Sequence, residues 1–175
     1  GDEYTLAVNL GDEPAIVRMR LSPEAIQVEC PLGKGIETHA MVAGLLGLEQ
    51  DAEGFARLAK RLGFARLVAG REGFRISLTP TIFDGLLWAI IGQQINLKFA
   101  CRLKRRLFEH CGTRMEDELI AGPTPAVVAQ LEPEDLLPLQ FSRLKAAYVI
   151  GAARMIVEGT LNLEQLPSLW AARIE

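Results

Sequence analysis

The chain has few of the residues that staple, ligate or anchor a fold. Its 175 residues include 3 cysteines and 2 histidines. Cys30, Cys101 and Cys111 are odd in number, widely spaced and form no Cys-x-x-Cys pair. They read as reduced, partly buried thiols of a cytoplasmic protein, not as a disulfide framework. His39 and His110 stand far apart and neither opens a ligand-spaced pair, so no metal site and no cofactor is expected. No apolar run is long enough for a membrane span, because Gly92, Gln93 and Gln94 cut the best candidate. No basic-then-apolar leader opens the sequence, so nothing argues for export. Internal repeats and low-complexity tracts are also missing.

What the chain does have is apolar content: 49% of its residues are hydrophobic. That is ample for a packed core and too high for a disordered chain. The net charge of -3 conceals an asymmetry. Residues 1–53 and 116–175 are acidic, whereas residues 54–115 carry twelve basic side chains against three acidic ones. An acidic whole does not exclude nucleic acid, because phosphates respond to the local field of a patch. A charge cluster alone is more often a solvated helix face.

Short segments with alternating or β-branched residues lie at 5–9, 15–21 and 25–30, separated by Gly11-Asp12-Glu13-Pro14 and Ser22-Pro23. They predict a small antiparallel sheet. From Ile36 onward the pattern is helical, which gives an α+β chain divided into residues 1–35 and 36–175. Asp51 caps a helix running through Phe55, Leu58, Ala59 and Leu62 to a stop at Gly63, and residues 70–77 read as a loop or short extended piece. Thr81 caps the next helix, with Asp84 at its third position in a capping-box arrangement. Phe83, Leu86, Leu87, Ile90 and Ile91 form its buried stripe. Asn96 caps the following helix, which ends near Cys111-Gly112. Thr124-Pro125 and Pro133 start short helices. Ser142 caps a longer one, on which Leu144, Tyr148, Gly151, Ala152 and Met155 share a face, and Gly159 closes it. Residues 168–175 have a cap and strong helix formers but no stop signal, so the chain is expected to break off inside a helix.

The most informative stretch is residues 82–108. Two hydrophobic helices stop together to present Gly92-Gln93-Gln94 beside a Lys/Arg cluster, a tip suited to entering a stack of bases. Gln94 is the long side chain placed to act as the wedge. Gln93 is expected to bond across the break, Gly92 to relax the backbone there, and Ile95 to return to the core. Asn96 is first a helix cap and secondarily a phosphate contact. Lys98, Arg102 and Arg105 share one helix face at i, i+4, i+7 spacing and form an electropositive stripe. Trp88, Tyr148 and Trp170 could stack on bases, but at helical positions they read as core.

Residues 83–100, FDGLLWAIIGQQINLKFA, resemble the corresponding stretch of the bacterial DNA-3-methyladenine glycosylase II group within the helix-hairpin-helix DNA glycosylases. Residues 45–62, the Gly122-Pro123-Thr124-Pro125 step and the run from Phe141-Ser142-Arg143-Leu144-Lys145-Ala146 to Glu158-Gly159-Thr160-Leu161 follow in the same order. The resemblance implies a small β subdomain, here abbreviated, ahead of a helical glycosylase domain. It also implies base-excision repair of double-stranded DNA carrying alkylated purines such as 3-methyladenine, by a protein that is a monomer when intact. The family's phosphate-binding hairpin and catalytic aspartate would come next and have no counterpart here. Asp84 matches a helix-start acid, so no catalytic residue is assigned. Two other readings stay open: a non-catalytic helical DNA-binding module, and a helical protein-interaction domain.

Overall fold

The computed structural model describes residues 2–165. The helix expected at 168–175, with Trp170, lies outside them. The order is the expected one: an antiparallel sheet, then a mainly helical region. Strands β1 (Asp2–Leu10), β2 (Glu13–Leu21) and β3 (Ile26–Glu29) form a sheet in the order β1-β2-β3. The first turn is shorter than the sequence implies: Leu10 pairs with Glu13, leaving Gly11 and Asp12 as a two-residue loop. Gly11 supplies the positive φ of 67° that such a hairpin needs. Pro14 therefore lies inside β2, opposite Asn9. The next pair after a hydrogen-bonded hairpin end turns its N–H groups away from the partner strand. Since β3 reaches only as far as Arg18, the missing N–H of Pro14 costs no ladder bond.

Along β1 and β2 the buried positions alternate: Val8 and Leu10, then Ala15, Val17 and Met19. Helix α1 (Gly35–Leu46) covers that face with Met41 and Val42, so the first helix beyond residue 35 shares the core of the sheet. Helix α2 (Ala52–Arg61) begins at Asp51, whose carboxylate accepts the Gly54 N–H at 2.7 Å. It packs its alanines, Ala56 and Ala59, on Val68 of a short helix α3 (Ala65–Val68) that sequence reasoning missed. Phe55, Leu58 and Leu62, the apolar residues that define the helix in the sequence, are exposed.

The main core is helical. Helices α4 (Ile82–Gly92), α5 (Leu97–Cys111), α6 (Pro125–Ala129), α7 (Pro133–Leu136) and α8 (Arg143–Val157) enclose Phe83, Leu87, Ile91, Leu103, Leu107, Val128, Leu136 and Ile150. Between α5 and α6 the chain makes a two-stranded ribbon, β4 (Thr113–Arg114) with β5 (Ile120–Ala121), also unforeseen. Gly112 is required where this ribbon closes on α5: a Cβ there would lie 2.5 Å from both the Ala121 and Phe108 carbonyl oxygens. The Asn9 side chain donates to the Gly122 carbonyl at 2.8 Å, tying β1 to the helical core. No helix among the described residues is long and apolar enough to cross a membrane.

Candidate nucleic-acid interface

Each helix that meets at the tip is capped at its N-terminus, α4 at the end far from the tip and α5 at the tip itself. Thr81 Oγ1 accepts the Asp84 N–H at 3.0 Å and donates to Asp84 Oδ2 at 2.9 Å. The capping box expected from sequence is thus half formed, because the Asp84 carboxylate takes the Thr81 hydroxyl and leaves the Thr81 backbone N–H alone. Asp84 is buried, 8% exposed, and its carboxylate is hydrogen-bonded to the Thr81 hydroxyl at the start of α4. At the tip itself Asn96 Oδ1 accepts the Phe99 N–H at 2.9 Å and starts α5. Three residues, Gln93 to Ile95, therefore carry the whole reversal.

Their roles differ from the expectation in two respects. Gly92 remains helical, with open space where a Cβ would sit, so its freedom is not what relaxes the break. Gln94 takes the left-handed conformation instead, at φ 57°, a region costly for any residue but glycine. Nor does the Gln93 side chain bridge the break: among the described residues it makes no hydrogen bond there. Lys145 does this from α8. Its ammonium donates to the Ile90 carbonyl at 3.2 Å and to the Gln93 carbonyl at 2.7 Å. Ile95 packs against the main core and Gln94 is exposed.

The tip and α8 border a groove of about 450 Å³. Phe99, Gln140, Leu144 and Tyr148 line it beside Gln93 and Gln94, and sequence reasoning assigned none of them to the site. Tyr148 corrects the reading that placed it in the core, since it is 52% exposed. The buried face of α8 carries Ala146, Val149, Ile150 and Ala153, where α8 packs on α6 and α4. Leu144, Tyr148 and Met155 are left on the outside. Trp88, by contrast, is partly buried against the core.

The α5 cations divide by partner. Lys98 and Arg102 are exposed, with the Arg102 guanidinium 6.0 Å from the Phe99 ring. Arg105, also exposed, donates to Glu109 at 2.7 Å, which neutralises much of its field. Lys104 lies over Phe108 at 5.0 Å and Trp88 at 5.9 Å. Arg106 donates to the Leu139 carbonyl at 3.3 Å. No acid lines the groove, and no cluster of metal-ligating side chains occurs among the described residues. The three thiols are free, Cys101 exposed and Cys30 and Cys111 partly buried, so the expectation of partial burial fails for Cys101. Burial pushes the Cys111 thiol up to about 11.

Residues 87–173, which include the tip and α8, match the model of the HhH-GPD superfamily base excision DNA repair proteins. The chain belongs to this superfamily. Among its relatives, a Bacillus subtilis DNA-3-methyladenine glycosylase is 33% identical over 123 residues, 68% of this chain and 41% of the relative. DNA-3-methyladenine glycosylase 2 of Escherichia coli is 34% identical over 100 residues, 56% of this chain and 36% of the relative. The solved 3-methyladenine DNA-glycosylase from Archaeoglobus fulgidus superposes with a TM-score of 0.77 at 25% identity, over 94% of this chain and 57% of that one. The HhH-GPD chain described here thus spans well under half the length of these curated relatives.

Proposed function

We propose that this chain is the DNA-engaging portion of a base-excision-repair glycosylase that flips out alkylated purines such as 3-methyladenine and hydrolyses their bond to the sugar, with Gln94 as the wedge. The observation that carries the reading is the tip itself. An exposed glutamine is held in a left-handed conformation between two capped helices, next to Lys98 and Arg102 and facing a groove free of acids. A base inside duplex DNA is unreachable to a catalyst, so the nucleotide must rotate out and its gap must be filled. The flat Gln94 amide has the size and the hydrogen-bonding groups to fill it. Asn96, Lys98 and Arg102 would meet phosphates, and Arg105 would join them at the cost of its Glu109 contact. The bond to an alkylated purine then breaks through an oxocarbenium-like state that needs a carboxylate for stabilisation. Asp84 is unsuited to that task because it is buried and hydrogen-bonded to Thr81 at the start of α4, away from the tip. The 175-residue polypeptide is therefore expected to bind DNA and to release no base by itself. Its partner is double-stranded DNA; no cofactor enters the proposal, and the intact protein acts as a monomer in the cytoplasm.

The test is fluorescence of 2-aminopurine in DNA bound by the intact protein. Wild type should brighten the probe and Gln94→Ala should not; equal flipping by both would refute the wedge. Binding should weaken steeply with salt, with a slope about one unit shallower for Lys98→Ala or Arg102→Ala. The alternative reading is a non-catalytic helical DNA-binding module. Release of 3-methyladenine by the intact protein decides against that module, and release by the 175-residue polypeptide would overturn the expected inactivity.

A further inference from the structure

Helix α4 ends in a difficulty that its own sequence does not resolve. The last carbonyls of a helix have no intrahelical donors and carry the negative end of its dipole. Here the chain offers only a long bond from the Gln93 N–H to the Ile90 carbonyl, at 3.4 Å. The residue after that, Gln94, must hold a left-handed φ of 57° without being glycine, and such a conformation persists only where its surroundings over-determine it. One side chain answers both needs. Lys145, two residues inside the start of α8, reaches 52 positions back to bond the Gln93 carbonyl at 2.7 Å and the Ile90 carbonyl at 3.2 Å. The Gln93 carbonyl belongs to the peptide plane that leads into Gln94. Fixing that plane fixes which side of the tip the Gln94 side chain leaves from.

We infer that Lys145 is the positioning residue of the wedge: its ammonium latches the α4 terminus to α8 and holds Gln94 erect. The inference rests on the reading of Gln94 as the wedge, although the latch itself is a property of the protein without DNA. No salt bridge engages Lys145 among the described residues, and no acid lines the groove beside it. Its charge is spent on the two carbonyls and the helix end, an arrangement worth more than a neutral hydrogen bond. Ser142 fixes the start of α8 by accepting the Lys145 N–H at 3.2 Å, so the lysine projects from a capped, rigid turn. Pre-organisation of this kind removes an ordering cost at the moment of insertion.

The experiment compares wild type, Lys145→Met, Lys145→Arg, Gln94→Ala and the Lys145→Met/Gln94→Ala double variant in the intact protein. Amide hydrogen exchange without DNA reads the latch alone. In Lys145→Met, exchange at Gln93, whose N–H bonds the Ile90 carbonyl, should quicken about tenfold or more, while Leu86 and Leu87 in the middle of α4 keep their rates. Lys145→Arg, which retains donors and charge, should restore most of the protection. With DNA, Lys145→Met should lower 2-aminopurine brightening about tenfold, with little further loss in the double variant, since both changes remove one device. Unchanged tip exchange in Lys145→Met overturns the latch, whatever the flipping data show. Faster tip exchange, combined with equal flipping by wild type and Gln94→Ala, leaves the latch standing and refutes the wedge. Uniformly faster exchange through α4 in both Lys145 variants would make the lysine a general stabiliser and overturn the inference.

Discussion

Replacing Gln94 by glycine and by alanine separates what the tip does for folding from what it does for DNA. At φ 57° a non-glycine residue pays roughly 1–2 kcal/mol. Glycine relieves that strain but makes the unfolded chain freer, which costs about 0.4–1 kcal/mol. The Gln94 side chain is exposed and contributes no buried contact. Gln94→Gly should therefore leave stability level or raise it by up to about 1.6 kcal/mol. Gln94→Ala keeps the strain and should fall within about 0.5 kcal/mol of wild type. Urea denaturation monitored by circular dichroism measures both. Each variant should still lose the 2-aminopurine signal, because neither has a side chain long enough to fill an emptied stack. A glutamine retained where glycine folds at least as well has a reason outside folding. Destabilisation by more than about 2 kcal/mol in either variant would show Gln94 to be a structural residue and refute the reasoning.

Other expectations concern the frame. Gly112→Ala should destabilise by about 1–3 kcal/mol, because the new methyl would meet the backbone oxygens of Ala121 and Phe108, neither of which can rotate away. Gly92→Ala should instead be stabilising, by up to about 1 kcal/mol in thermal melts, since a helical position with open space gains only propensity. Thr38 is 2% exposed and its hydroxyl has no partner among the described residues. Thr38→Val should therefore raise stability by about 1 kcal/mol, and a lower melting temperature would count against this. The Cys111 thiol is raised from 9.0 to about 11, so the folded state favours the protonated form. Its contribution to stability is complete below pH 9 and is lost as pH rises through 11. Iodoacetamide mapping at pH 8 should find Cys101 labelled well before Cys111.

Much of the fold is legible because caps are local. Asp51, Thr81, Asn96, Thr124 and Ser142 each accept a backbone N–H three residues on, and that chemistry is written in the adjacent sequence. The hairpin alternation of β1 and β2 is local in the same sense. Burial is less legible, because it depends on how closely two elements approach. On α2 the alanines face inward and Phe55 and Leu58 face out, and on α8 Ala146, Val149, Ile150 and Ala153 face inward and Leu144 and Tyr148 face out. A hydrophobic pattern alone assigns those faces the other way. The β4-β5 ribbon has two residues per strand, too few for any periodicity to register.

The same distinction governs the site. The helix break at Gln94 and the cap at Asn96 can be found from sequence, because a break between two apolar helices concentrates the signal in a few adjacent positions. Lys145 cannot be, since its partners lie 52 and 55 residues away and a lysine in the first turn of a helix is unremarkable by pattern. The basic cluster needs the structure too. Lys98, Arg102 and Arg105 satisfy one spacing rule, yet Arg105 alone is tied to an acid, Glu109. Lys104 is held by aromatic rings and Arg106 by a carbonyl. A count of basic residues therefore overstates the charge presented to phosphates. What remains, Lys98 and Arg102 on the turns of α5 nearest Gln94, is a smaller footprint than the sequence implies. On the proposed reading these two cations, without an acidic partner among the described residues, would carry the phosphate contacts near the tip. The salt slope separates these alternatives: contributions from Lys98 and Arg102 exceeding that of Arg105 fit the partner inventory, and an equal share from Arg105 would show that its bond to Glu109 yields to phosphate.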